Sequence, residues 1–99
     1  MRVVNTPILD TACSIFSDLG YTVEAAGDEL RAQRKWRVVY ITDRDPLTVP
    51  DQGNLRCFVT APDRAQTVVD RIETTAPTRE WVVMSLDHLG EYEIHRPSR

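Results

Sequence analysis

Lysine is almost absent from this chain: Lys35 is the only one among twelve basic residues, and the other eleven are arginines. Glycine is scarce too, at four positions, and none belongs to a phosphate-cradling Gly-rich loop, which argues against a nucleotide-binding fold. No serine or cysteine sits in a Gly-x-Ser-x-Gly elbow, so the familiar hydrolase signature is missing. The two cysteines, Cys13 and Cys57, lie far apart without paired spacing. They read as reduced thiols acting as small hydrophobes, not as a disulfide or a metal site. His88 and His95 have no further ligand at metal-binding spacing, and Asp43, Asp45 and Asp51 lack the order of a calcium loop. Turn chemistry is the expected role of those aspartates, and neither metal nor cofactor is expected. No apolar run approaches the ~20 residues that span a bilayer, and the N-terminus has no signal-peptide core. The expectation is a cytoplasmic protein without a membrane partner.

What the chain does contain is enough apolar material for one core. Leu, Ile, Val and Phe supply 25 of its 99 residues, above the level of disordered chains. One α+β domain spanning residues 1–99 is expected. Aspartate (nine) outnumbers glutamate (six), valine and threonine are abundant, and the net charge is -3. Lysine-poor, Asp-rich composition is a bias shared by halophilic archaea and GC-rich genomes. In molar salt the Debye length is about 3 Å, so any partner would be held by close contact and stacking, not by long-range attraction.

Periodicity gives the elements. Thr6-Pro7 suits a helix start, and Ile8, Leu9, Ala12, Ile15, Phe16 and Leu19 recur at helical spacing up to Gly20, predicting a helix over 7–19. Two short strands follow, over 21–25 and 29–33, around a Gly27-Asp28 turn. A third covers 36–42, either continuing the second or bending away from it at Arg34-Lys35. Residues 43–54, with Pro46, Pro50 and Gly53, read as a long loop. A fourth strand covers 55–61. Pro62-Asp63 starts a second helix with Ala65, Val68, Val69 and Ile72 on its apolar face, ended by Ala76-Pro77. The fifth strand, 80–86, is apolar on both faces and therefore central. A turn at 87–90 leads to an alternating last strand, 91–95. The order αββββαββ predicts a mixed sheet of five or six strands, a parallel β-α-β crossover from 55 to 86, a final hairpin, and both amphipathic helices mainly on one face.

The most suggestive segment is Arg31-Ala32-Gln33-Arg34-Lys35-Trp36-Arg37, where four cations surround a tryptophan in a slightly acidic chain. Arginine forks bind phosphate, and an exposed Trp36 or Tyr40 offers a stacking surface for a base. Arg31, Arg34, Lys35, Trp36, Arg37 and Arg56 are therefore candidate nucleic-acid ligands. The competing reading makes Trp36 a core anchor and pairs the arginines with Glu24, Asp28 and Glu29 across the sheet. The same region, a helix and three strands with Asp28 ahead of Gln33-Arg34-Lys35, resembles the start of restriction-endonuclease-like folds. Gln33 stands where that pattern has a second acid, so a degenerate scaffold is the more credible form of this reading. If both helices share one face, the other face needs cover, and Val39, Ile41, Phe58, Val82 and Met84 become candidate interface residues for a protein partner or a second copy. The leading expectation is a non-enzymatic binding module acting through a macromolecular partner, with homodimerisation as one form of it and nucleic-acid binding as the alternative.

Three stretches carry a family resemblance: Ile15-Phe16-Ser17-Asp18-Leu19-Gly20-Tyr21, Arg31-Ala32-Gln33-Arg34-Lys35-Trp36 and Leu55-Arg56-Cys57-Phe58-Val59-Thr60. Together they resemble small haloarchaeal proteins of about this length, a family of unknown function, over most of the chain. The resemblance implies a cytosolic haloarchaeal protein and carries no activity with it.

Overall fold

The first helix, α1 (Pro7–Asp18), begins at the proline that suits a first helical position and ends at Gly20, whose φ is 96°. There the Gly20 amide donates to the Ser17 carbonyl (3.0 Å) and the Tyr21 amide to the Phe16 carbonyl (3.0 Å). This is the Schellman pattern, and its usual apolar contact is present: the Phe16 and Tyr21 rings meet edge to face at 5.2 Å. A computed structural model describes residues 7–49, 55–75 and 80–97. The Thr6 cap, the Ala76-Pro77 stop and Pro50, Asp51 and Gly53 of the long loop lie outside those residues.

Six strands follow in one mixed sheet whose spatial order is the chain order. They are β1 (Thr22–Ala26), β2 (Glu29–Arg34), β3 (Arg37–Thr42), β4 (Leu55–Thr60), β5 (Trp81–Leu86) and β6 (Tyr92–His95). The pairs β1–β2, β2–β3 and β5–β6 are antiparallel, and β3–β4 and β4–β5 are parallel. The second helix, α2 (Ala65–Thr75), makes the β4-to-β5 crossover after a 3-10 turn at Pro62–Arg64. The β3-to-β4 connection carries another 3-10 turn, Pro46–Thr48, which Asp45 caps by accepting from the Leu47 amide at 2.9 Å. Class, mixed sheet and element order are those expected.

The helices differ from expectation in one respect: they lie on opposite faces. Leu9, Ala12 and Phe16 of α1 pack with Leu30, Ala32, Val39, Ile41, Cys57, Val59, Met84 and Leu86. Ala65, Val68 and Ile72 of α2 pack with Val49, Phe58, Trp81 and Val83. Alternate residues of β4 and β5 thus enter two separate cores, which is why β5 is apolar on both sides. The parallel pair β3–β4 was not legible from the sequence, because no amphipathic helical pattern of residues marks its connection.

Cys57 lies in the α1 core, fully buried, and burial pushes its thiol up to about 12 despite a backbone hydrogen bond at Met84 that pulls the other way. It is a small core hydrophobe, whereas Cys13 is half-buried.

Candidate nucleic-acid interface

The basic-aromatic segment folds into the β2–β3 hairpin. Arg34 pairs with Arg37 on the last rung, leaving Lys35-Trp36 as a two-residue turn, so the third strand bends back on the second and does not continue it. A turn this tight requires positive φ in its first central residue or in both. Here Lys35 takes it, at 57°, in a region that favours glycine. Trp36 is thrown outward and is 85% exposed. The tryptophan of the core is Trp81, at 3%.

Strand alternation then divides the cations. Leu30 and Ala32 of β2 and Val39 and Ile41 of β3 face α1, so Arg34 and Arg37, at even spacing from them, share that face beyond the helix end. The Arg34 guanidinium lies against Gly20, whose added Cβ would stand 3.0 Å from its Nε. Arg31 points to the opposite face, where Nη1 meets Glu24 at 3.4 Å and donates to Gln33 Oε1 at 2.9 Å. Gln33 Nε2 in turn donates to the Lys35 carbonyl at 3.2 Å, which braces the turn from below.

The expected cross-sheet pairs therefore form for some arginines and not for others. Arg31 pairs with Glu24, Arg44 with Asp28 (3.3 Å) and Arg56 with Glu29 (3.0 Å). Arg34, Lys35 and Arg37 have no acidic partner among the described residues. Like charges opposed across a rung are destabilising. The tip thus gathers three features that oppose stability on four consecutive residues: a like-charge rung, a positive-φ lysine and an exposed indole. Such departures from local rules collect where function requires them.

Arg56 does not join this group. It is buried on β4, paired with Glu29, and its guanidinium sits 5.5 Å from the centre of the Tyr40 ring. Its inclusion among the candidate ligands is corrected by that burial, and Tyr40 is occupied by the same contact. The candidate interface residues are corrected for a related reason. Val39, Ile41 and Met84 are buried in the α1 core, Val82 packs half-buried against it, and Phe58 lies in the α2 core on the other face. With one helix on each side, they are inside the protein. The nuclease arrangement is not assembled either. Asp28 sits in the β1–β2 turn beside Arg44, at the far end of β2 from Lys35, roughly 20 Å away at ~3.3 Å per residue.

The remaining sequence candidates have structural roles or open surroundings. Asp45 shapes its turn as described, and its other oxygen holds Arg71. His88 is exposed, and His95 Nε2 lies 3.3 Å from Ser85 Oγ. Among the described residues, no group of three or more His, Cys, Asp or Glu side chains is placed to hold a metal ion, and no helix is long and apolar enough to cross a membrane. What sequence reasoning missed is the burial of the Arg56–Glu29 pair, whose signal would have been a single arginine inside an otherwise apolar strand.

A family model, described as a family of unknown function (DUF7116), matches residues 9–96. The chain belongs to that family. No curated protein and no solved structure is significantly similar to it.

Proposed function

We propose, with membership of this family as the premise and no activity to inherit from it, that the protein is a non-enzymatic module that binds single-stranded nucleic acid through the β2–β3 hairpin tip. The observation carrying the proposal is the 85% exposure of Trp36 between three cations that have no acidic partner among the described residues. An indole face presented to solvent suits an unstacked base, and the flanking Arg34, Lys35 and Arg37 suit the phosphates on either side. Duplex DNA offers no free base face to the ring, so single strands are the preferred partner.

Oligonucleotide titration followed by tryptophan emission tests this directly, because buried Trp81 contributes an unresponsive background. Stacking is worth about 1–3 kcal/mol, so Trp36→Ala should weaken binding roughly 5- to 150-fold. Three phosphate contacts predict a log–log salt slope of about -2 on single strands, falling by roughly 0.7 in Arg34→Ala. Affinity unchanged in both variants removes the idea. The lysine-poor, Asp-rich composition supports placing this module in the salt-rich cytoplasm of a haloarchaeon, where stacking outlasts screened charge.

A second reading, self-association, is favoured by a different surface from the one first considered. β6 is an edge strand, and Leu89, Tyr92 and Ile94 are exposed along it or in the turn before it. Sedimentation at high salt, wild type against Ile94→Lys, decides it: a monomer in both cases sinks this reading.

A further inference from the structure

A cleft of about 300 Å³ opens at the carboxyl ends of the parallel strands β3 and β4, on the part of the molecule built from the turns that follow them. Ligands of open sheets with parallel strands bind outside the carboxyl ends of those strands, and here the turn after β3 packs beside α2 at that end. Three arginines line the cleft: Arg44 after β3, Arg64 at the end of the Pro62–Arg64 turn, and Arg71 on α2. Thr60 and Thr67 add hydroxyls. The spacing of Arg64, Thr67 and Arg71 is i, i+3, i+7, which places all three along one face of the helical segment. Against these cations stand two carboxylates, Asp43 and Asp45. The lining is therefore net positive in a chain of net charge -3.

The arginines are held to different degrees. Arg71 is tied through Nη1 to Asp45, whose other oxygen is committed to the Leu47 amide. Arg44 is fixed by Asp28 (3.3 Å) and the Thr48 carbonyl (3.4 Å), and its amide donates to the buried Thr42 hydroxyl at 3.1 Å. Arg64 makes no side-chain hydrogen bond or ion pair among the described residues. A guanidinium has five donors in a fixed fork, so even the two tied arginines keep donors for a ligand, and Arg64 keeps all of its own. A carboxylate presents two oxygens, a phosphate monoester three terminal ones with nearly twice the charge. Three guanidiniums around one small space match the second better.

We infer that this cleft binds the phosphate group of a small phosphomonoester, with Arg64 as the recruiting cation and Arg44 and Arg71 as its preset walls. A volume of about 300 Å³ is at the small end of ligand sites, so the body attached to the phosphate is small. The site is distinct from the hairpin tip and stands or falls without it.

Calorimetric titration of the full chain with inorganic phosphate, phenyl phosphate and acetate, at constant ionic strength in KCl, tests the inference. Saturable one-to-one binding of both phosphates is expected, with acetate at least tenfold weaker. Arg64→Ala should weaken phosphate binding tenfold or more. Because Arg64 has no side-chain partner among the described residues, that variant should melt as wild type does, and Arg64→Lys should recover only part of the affinity. Trp36→Ala should leave phosphate binding unchanged. Absence of saturable binding, indifference to Arg64→Ala, acetate binding as tightly as phosphate, or loss of binding in Trp36→Ala would each overturn the assignment.

Discussion

Replacing Glu29 by alanine leaves the Arg56 guanidinium inside the sheet without its carboxylate. The two side chains are 14% and 5% exposed, spanning from β2 to β4 across the intervening strand. Arg56 Nη2 donates to Glu29 Oε1 at 3.0 Å, while the Nε–Oε2 approach, also 3.0 Å, lacks hydrogen-bond angle. One good charge-assisted bond and one plain Coulombic contact therefore hold the pair, with the Tyr40 ring alongside at 5.5 Å. Removing one partner of a buried pair typically costs about 3–5 kcal/mol, because the remaining charge stays desolvated and loses that counter-charge. The imperfect second contact and the ring nearby place this pair at the lower end, about 3 kcal/mol. A domain of this size has about 5–15 kcal/mol in all, so the melting point should fall by roughly 12–24 °C. The assay is urea and thermal unfolding followed by emission of Trp81, which neighbours Arg56 on the sheet, in a Trp36→Phe background. Glu24→Ala, which breaks the exposed pair with Arg31, should cost about 0–1 kcal/mol in the same assay. The double variant Glu29→Leu with Arg56→Met should recover most of the loss, since an apolar pair removes the desolvation penalty along with the attraction. A Glu29→Ala effect no larger than that of Glu24→Ala would refute the reasoning.

Two further perturbations probe the turn and the core. Lys35→Gly relieves the positive φ, a gain of about 1–2 kcal/mol partly offset by glycine's backbone entropy of about 0.5–1 kcal/mol. Stability should rise slightly while the salt slope of oligonucleotide binding falls by about 0.7, so a destabilised variant contradicts the turn geometry. Burial lets Cys57 keep its proton in the folded state up to about pH 12, against an ordinary thiol value of 9.0. Between those values the folded state binds more protons than the unfolded one, so its contribution to stability is full below pH 9 and declines above it. The expected decline, about 1.4 kcal/mol per pH unit at most, should disappear in Cys57→Ala relative to its own neutral-pH stability. A thiol reagent at pH 8 should accordingly modify half-buried Cys13 well before Cys57, and equal rates would contradict the burial.

Sequence by itself determined the local structure of this protein. The spacing of Leu9, Ala12 and Phe16, the Gly20 stop, the Gly27-Asp28 turn and the doubly apolar run from Trp81 to Leu86 each act within a few residues. Side-chain period and backbone preference therefore decide them before any distant contact forms. Tertiary structure decided everything that depends on which face meets which. The period of β4 separates Cys57 and Val59 from Phe58 without saying which helix each will meet, and α1 and α2 took opposite sides. The same ambiguity sent Arg31 to one face and Arg34 and Arg37 to the other. Whether Trp36 entered the core or left it turned on whether the chain bent at Lys35, and a nearby cluster of cations is compatible with either. Arg56 found Glu29 across 27 residues of chain, and the arginines of the cleft met only after β3 and β4 aligned in parallel. Contacts of that range are fixed by packing and loop closure, which no local pattern of residues encodes.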